Sequence, residues 1–270
     1  MVGRHRTASM TTTLSHWREY AIEGCCLGVF MLSAVAFAIA LQHPRSPFAG
    51  WTPPAPLARA PMGIAMGLTS VALIYSPAGR RSGAHLNPAV TLTYFRLGKI
   101  AAFDAGAYIG AQFAGGALGM CVAAIVFRRF AADAAVNYVA TMPGTAGVPS
   151  AFAAEAAISF VMMLTVLVTS NVRRLAPWTG VAAGALVAAF ITFEAPLSGM
   201  SMNPARSAAS AIFAGGSSLW IYFAAPSLGM LAAAEIFQRL HGSARVRCAK
   251  LHHKCGTPCI FQCGYTEKTA

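Results

Sequence analysis

Gly83-Ala84-His85-Leu86-Asn87-Pro88-Ala89-Val90 reappears 116 residues later as Gly199-Met200-Ser201-Met202-Asn203-Pro204-Ala205-Arg206. Asn is a strong helix N-cap, because its side-chain oxygen accepts an orphan backbone N–H. Pro fits the first helical position, where no N–H is needed. Ala then propagates the helix. Asn87-Pro88-Ala89 and Asn203-Pro204-Ala205 therefore each predict a helix start. The apolar segments they open, about 87–97 and 203–213, are too short to cross a bilayer. Gly83 and Gly199 let the loops before them turn sharply.

Six longer apolar runs surround the two motifs, at about 19–42, 61–78, 101–127, 151–171, 178–196 and 219–240. Each approaches the roughly 20 apolar residues that a helical span needs. Each motif follows the second run of a three-run half. Glu23, early in the first run, is matched by Glu155, early in the fourth, at an offset of 132. Three spans per half is an odd number, so the second half lies inverted in the membrane. Inverted repeats place their sites where the halves meet, near the midplane. Two half-helices then face each other by their N-termini, each bringing about +0.5 of dipole charge. Protons and cations meet a barrier there and neutral solutes do not. An irregular loop at that depth is tolerated only when it is buried in protein or lines a wet cavity.

Composition agrees. Of 270 residues, 56% are apolar and 10% charged, against about 25% charged in soluble domains. That excludes an ordinary soluble protein and a disordered one. The net charge of +12 reads as topology, because the basic residues sit between the apolar runs. One side collects Arg4, Arg6, Arg18, Arg80, Arg81, Arg96, Lys99, Arg173 and Arg174, with Arg239, Arg245, Arg247, Lys250, Lys254 and Lys268 of the tail. The other holds Arg45, Arg59, Arg128 and Arg129. The positive-inside rule places both termini in the cytoplasm of a multi-pass plasma (inner) membrane protein, with the lipid bilayer as its partner. Nucleic acid is not an expected partner. Segment 1–18 reads as a basic N-terminus, 19–240 as one channel domain and 241–270 as a Cys/His-rich basic tail. The first run reads as a retained helix, not a signal peptide.

Ser82-Gly83-Ala84-His85-Leu86-Asn87-Pro88-Ala89-Val90-Thr91 and Met202-Asn203-Pro204-Ala205-Arg206-Ser207 resemble the major intrinsic protein family, the aquaporins and aquaglyceroporins. The resemblance covers about 19–240 and implies an all-α membrane protein: six transmembrane helices plus two re-entrant half-helices in an inverted repeat. It also implies a homotetramer with one pore per chain, passing water and small neutral solutes without a cofactor. By resemblance Arg206 is the filter cation. Counting along the family pattern adds Ile191, Met200 and either Met66 or Gly67. Water-selective members usually carry His where Ile191 stands, and glycerol channels usually carry Asp where Ser207 stands, so the pattern is mixed. An apolar wall facing Arg206 suits glycerol, urea or metalloid hydroxides. Also by resemblance, Glu23 and Glu155 brace the re-entrant loops, and Gly83, Ala84, His85 and Gly199 belong to the pore loops, His85 offering its backbone carbonyl. Gln112 reads as a helix–helix hydrogen bond.

Cys25, Cys26 and Cys121 read as small buried residues. The tail carries Cys248, His252, Cys255, Cys259 and Cys263. That set reads as a zinc site or as exposed thiols on a disordered tail. The function classes to separate are a passive channel, a secondary transporter and an enzyme. A transporter needs coupling acids near the midplane, for which only Glu23 and Glu155 are available. No nucleophile–base pair points to an enzyme.

Overall fold

The computed structural model describes residues 16–48, 53–216, 218–242, 245–253, 259–261 and 263–264. Eight helices carry the fold: α1 (Trp17–Gln42), α2 (Ala60–Tyr75), α3 (Pro88–Arg96), α4 (Ala102–Phe127), α5 (Gly147–Asn171), α6 (Thr179–Phe193), α7 (Pro204–Ala214) and α8 (Leu219–His241). There is no strand among the described residues. α1, α2, α4, α5, α6 and α8 are long and apolar enough to cross a membrane, α2 and α6 with the short turns that lead into them. At 1.5 Å per residue, the 9 residues of α3 and the 11 of α7 reach only about halfway through a ~30 Å hydrocarbon core.

The halves are built alike. α1 packs along α4, and α5 packs along α8 in the same manner. α2 and α6 pair across the middle. The half-helices are exchanged: α3 of the first half lies on α8 of the second, and α7 lies on α4. Helices in lipid approach closely through small residues, and that is how these contacts are made. A Cβ on Gly24 would stand 2.7 Å from the Ala111 carbonyl oxygen, and one on Gly28 2.9 Å from that of Gly115. Gly67 meets the Gly184 backbone of α6, and Gly229 of α8 meets Ala156 of α5. Large apolar side chains such as Ile64, Leu68, Leu118, Ile125 and Leu228 point outward, as a bilayer requires. Cys25 is exposed with them, contrary to the buried position expected for it; Cys26 is buried and Cys121 half-buried.

After α8 the chain turns back. Val246, Cys248, Ala249, Lys250, Leu251 and Phe261 are all buried against the bundle.

Candidate functional site

Asn87 and Asn203 cap α3 and α7. The Asn87 side-chain oxygen accepts from the Ala89 N–H at 2.9 Å. That of Asn203 accepts from Ala205 and Arg206 at 3.1 and 3.3 Å. Each amide nitrogen then donates to the opposite half: Asn87 Nδ2 to the Met202 carbonyl at 2.6 Å, and Asn203 Nδ2 to the Leu86 carbonyl at 2.7 Å. The two half-helix N-termini are thus latched to each other's loops.

The loops are held from behind by the two acids. Glu23 accepts from Ser82 Oγ, the His85 and Leu86 N–H groups and Gln112 Nε2, at 2.6–3.1 Å. Glu155 accepts from Ser198 Oγ and the Ser201 and Met202 N–H groups at 2.7–2.8 Å. Tyr108 and Tyr222 occupy equivalent places, donating to the carbonyls of Ser82 and Ser198. In hydrocarbon each unsatisfied backbone group costs several kcal/mol, so these carboxylates make a non-helical loop tolerable at that depth. Gly83 and Gly199 are left-handed, with φ of 101° and 82°. So are four non-glycine residues, Ala84 and Leu86, matched by Met200 and Met202, with φ of 49–56°. A non-Gly residue there stores about 1–3 kcal/mol of strain. The repeated conformation shows that both loops are pinned in the same way.

A cavity of about 390 Å³ runs past both Asn residues. Gln42, Arg59 and Val139 line its far end, and Ile74, Val90 and Leu251 its end on the side of the chain termini. Met66, Ile191, Met200 and Arg206 all lie on its wall. Between the two alternatives in the second span, Met66 faces the cavity, whereas Gly67 is turned into the α2–α6 contact. Arg206 takes part in none of the ion pairs found among the described residues. Its Nη1 is buried without a protein hydrogen-bond partner among them, which leaves a donor for whatever occupies the cavity. Sequence reading did not name Leu27, Phe30, Val187 or Leu251, which also line it. Their only signal is apolar character, which every neighbouring position shares. Ser207 is absent from that wall. Its hydroxyl bonds Thr141 and Ser201 at 2.8 and 2.5 Å, tying α7 to its own loop.

The family profile described as "Major intrinsic protein" matches residues 10–237. The chain belongs to the major intrinsic protein family. With six helices long and apolar enough to cross a bilayer, it is an integral, multi-pass membrane protein. Among its relatives, the rice (Oryza sativa subsp. japonica) "Aquaporin NIP1-3" is 38% identical over 173 residues, 63% of this chain. The match spans only 58% of the rice protein's own length. A Lactiplantibacillus plantarum "Glycerol uptake facilitator protein-like 6" is also 38% identical, over 64% of this chain and 81% of the relative. The crystal structure of the aquaglyceroporin from Plasmodium falciparum superposes with a TM-score of 0.68 over 85% of this chain and 98% of that one. At 19% identity that likeness speaks for the fold alone.

In this member of the family the tail closes against the pore loops. Leu251 N–H donates to the Gly83 carbonyl at 3.1 Å, and the Lys250 ammonium to that of Arg80 at 3.0 Å. The His85 ring lies between Thr91 Oγ1 at 3.1 Å and the Ala249 carbonyl at 2.9 Å. Phe261 stacks on that ring, with centroids 5.3 Å apart. His85 is therefore fixed at the cavity wall by the tail, a contact that no local pattern announces.

The expected tail ligands are only partly brought together. Cys248, Cys259 and Cys263 converge, but the imidazole among them belongs to His253, not His252. The His252 ring stands edge-on to Tyr75, 4.9 Å away. Cys255 lies outside the described residues. The hydrogen bond from Cys248 pushes the Cys259 thiol well below the usual cysteine range, while Cys248, the protonated partner, is pushed up.

Proposed function

We propose that the chain conducts water and small uncharged solutes of the glycerol or urea class passively across the plasma membrane, as a homotetramer with both termini cytoplasmic. In this reading Asn87 and Asn203 form the central constriction, where two half-helix dipoles repel protons and cations. Met66, Ile191, Met200 and Arg206 form the filter. The observation that carries it is the single cavity joining Arg206, with its open donor, to the crossed Asn pair. Ile191 and Met200 give the filter one apolar wall facing one cation. A solute with carbon on one edge and hydroxyls or amides on the other fits that arrangement. Both intramembrane acids are spent on loop donors, which supports passive conduction over ion-coupled transport.

The test is stopped-flow light scattering on proteoliposomes of the full chain, with reductant and a membrane-permeant chelator present because Leu251 of the Cys-rich tail lines the cavity. Water and glycerol permeability should both exceed those of empty vesicles. Ile191→His, which adds a polar ring to the apolar wall, should lower glycerol permeability relative to water. Arg206→Val should retain water flow and admit protons, read with an entrapped pH dye. Permeability no higher than in empty vesicles for both solutes would sink the proposal.

A further inference from the structure

The tail thiols stand apart from the conduction machinery and yet are ordered against it. Cys248 Sγ lies 3.6 Å from Cys259 Sγ, and Cys263 Sγ lies 3.2 Å from His253 Nε2. All four ligand atoms fall within 4.8 Å of one another. A tetrahedral zinc with Zn–S of about 2.3 Å and Zn–N of about 2.0–2.1 Å sets its ligand atoms roughly 3.5–3.8 Å apart. The four atoms are therefore close to the edges of such a tetrahedron and need only small side-chain shifts to meet it. Three sulfurs and one imidazole, with no carboxylate, make a soft donor set that favours zinc over magnesium or calcium. Cys248 and Cys259 are not in a disulfide among the described residues. Cys248 is buried, whereas His253, Cys259 and Cys263 are partly exposed on the termini side, so an ion has a way in.

Charge and chain order point the same way. Zinc bound by three thiolates and a neutral imidazole carries a net charge of −1, and the three thiols release three protons on forming it. The buried Lys250 ammonium acts electrostatically on all three sulfurs. The described residues from 245 to 264 have no α-helix or strand of their own, yet this segment holds Leu251 against the cavity and Phe261 against His85. A short irregular segment needs a staple to stay folded, and a structural metal is one of the few available.

We propose that Cys248, His253, Cys259 and Cys263 form a zinc site whose ion pins the tail across the cytoplasmic mouth of the pore, so that zinc holds the channel closed. The ion does not enter the conduction path. It stabilises the docked tail, in which Leu251 lines the cavity, over an undocked tail that leaves the mouth open. Because zinc binds only the docked form, it shifts the population toward closure.

The site is tested on the full chain, loaded with zinc chloride, desalted and analysed by elemental mass spectrometry. One zinc per chain is expected, falling to background in Cys263→Ser and His253→Ala and kept in His252→Ala, whose ring faces Tyr75. A reduced full chain that retains no zinc overturns the site, as does a His252→Ala chain that loses it. Closure rests on the channel reading above and is read separately, as water permeability of zinc-loaded proteoliposomes before and after a permeant chelator. Chelation should raise it about tenfold, the shift from a mostly closed to a mostly open population. Cys263→Ser should start at the raised level and ignore the chelator. Stoichiometric zinc with equal permeability in both states overturns the plug. Vesicles without permeability in any state overturn the channel reading, while the metal count still decides the site.

Discussion

Two carboxylates do at the residue scale what regular secondary structure does elsewhere in the bundle. Glu155 accepts from two backbone N–H groups that no helix serves. Removing it leaves both buried and unsatisfied, at about 1–3 kcal/mol each. Glu155→Ala should therefore destabilise the chain by about 2–6 kcal/mol, seen as a large drop in the melting temperature of the detergent-solubilised protein. Glu155→Gln, which keeps one oxygen acceptor, should lose less. Equal melting of Glu155→Ala and the parent chain contradicts this account. The matched positions of Glu23 and Glu155 were visible in the sequence. The left-handed Ala84, Leu86, Met200 and Met202 were not, because none of these residue types favours that conformation by itself. Leu86 and Met202 are held by carboxylates 63 and 47 residues away in the chain, and Ala84 and Met200 by serine hydroxyls that those same carboxylates fix.

The elements follow closely from local pattern. Apolar length marks the spans, and Asn-Pro-Ala marks where α3 and α7 begin; both signals lie within a few residues of what they specify. What brings the elements together is glycine, and it was harder to read. Gly115 and Gly119 of α4 press directly on the backbone of Gly24 and Gly28 of α1, whereas Gly106 of the same helix has nothing within 4 Å. Sequence alone does not separate the two kinds. Gly115→Leu should push α1 from α4 and cost about 1–3 kcal/mol or more, as overpacking does. Gly106→Ala should hold or slightly raise stability, since Ala is the better helix former by up to about 1 kcal/mol. Gel-filtration melting curves of the two variants compare them directly. Equal loss in both removes the close-packing explanation. Which of Met66 and Gly67 faces the cavity is a one-residue question of the same kind, and it depends on which side α6 occupies.

Across the whole molecule, the charge asymmetry and the cross-packed halves describe one object. The basic loops predict that both termini face the cytoplasm. A fluorescent protein fused after Ala270 should light up in intact cells, and alkaline phosphatase fused there should stay inactive; the reverse pair of results rejects the orientation. The fate of the tail was the least legible feature. Its cysteines declared a chemistry, but its docking depends on surfaces more than a hundred residues distant, such as the Gly83 carbonyl and the His85 ring. For the same reason the sequence pointed to His252 where the fold brings His253 to the thiols. The crossed latch between the halves sets a schedule for biosynthesis. Asn87 donates to a carbonyl 115 residues further along the chain, and at about 5–20 residues per second a ribosome takes roughly 6 to 23 s to make the intervening chain. Throughout that interval the first half must wait beside the insertion machinery with its re-entrant loop held only from its own half, by Glu23 and Tyr108. Any device that shortens the wait, such as co-expressing the second half as a separate chain, should raise the yield of the assembled protein.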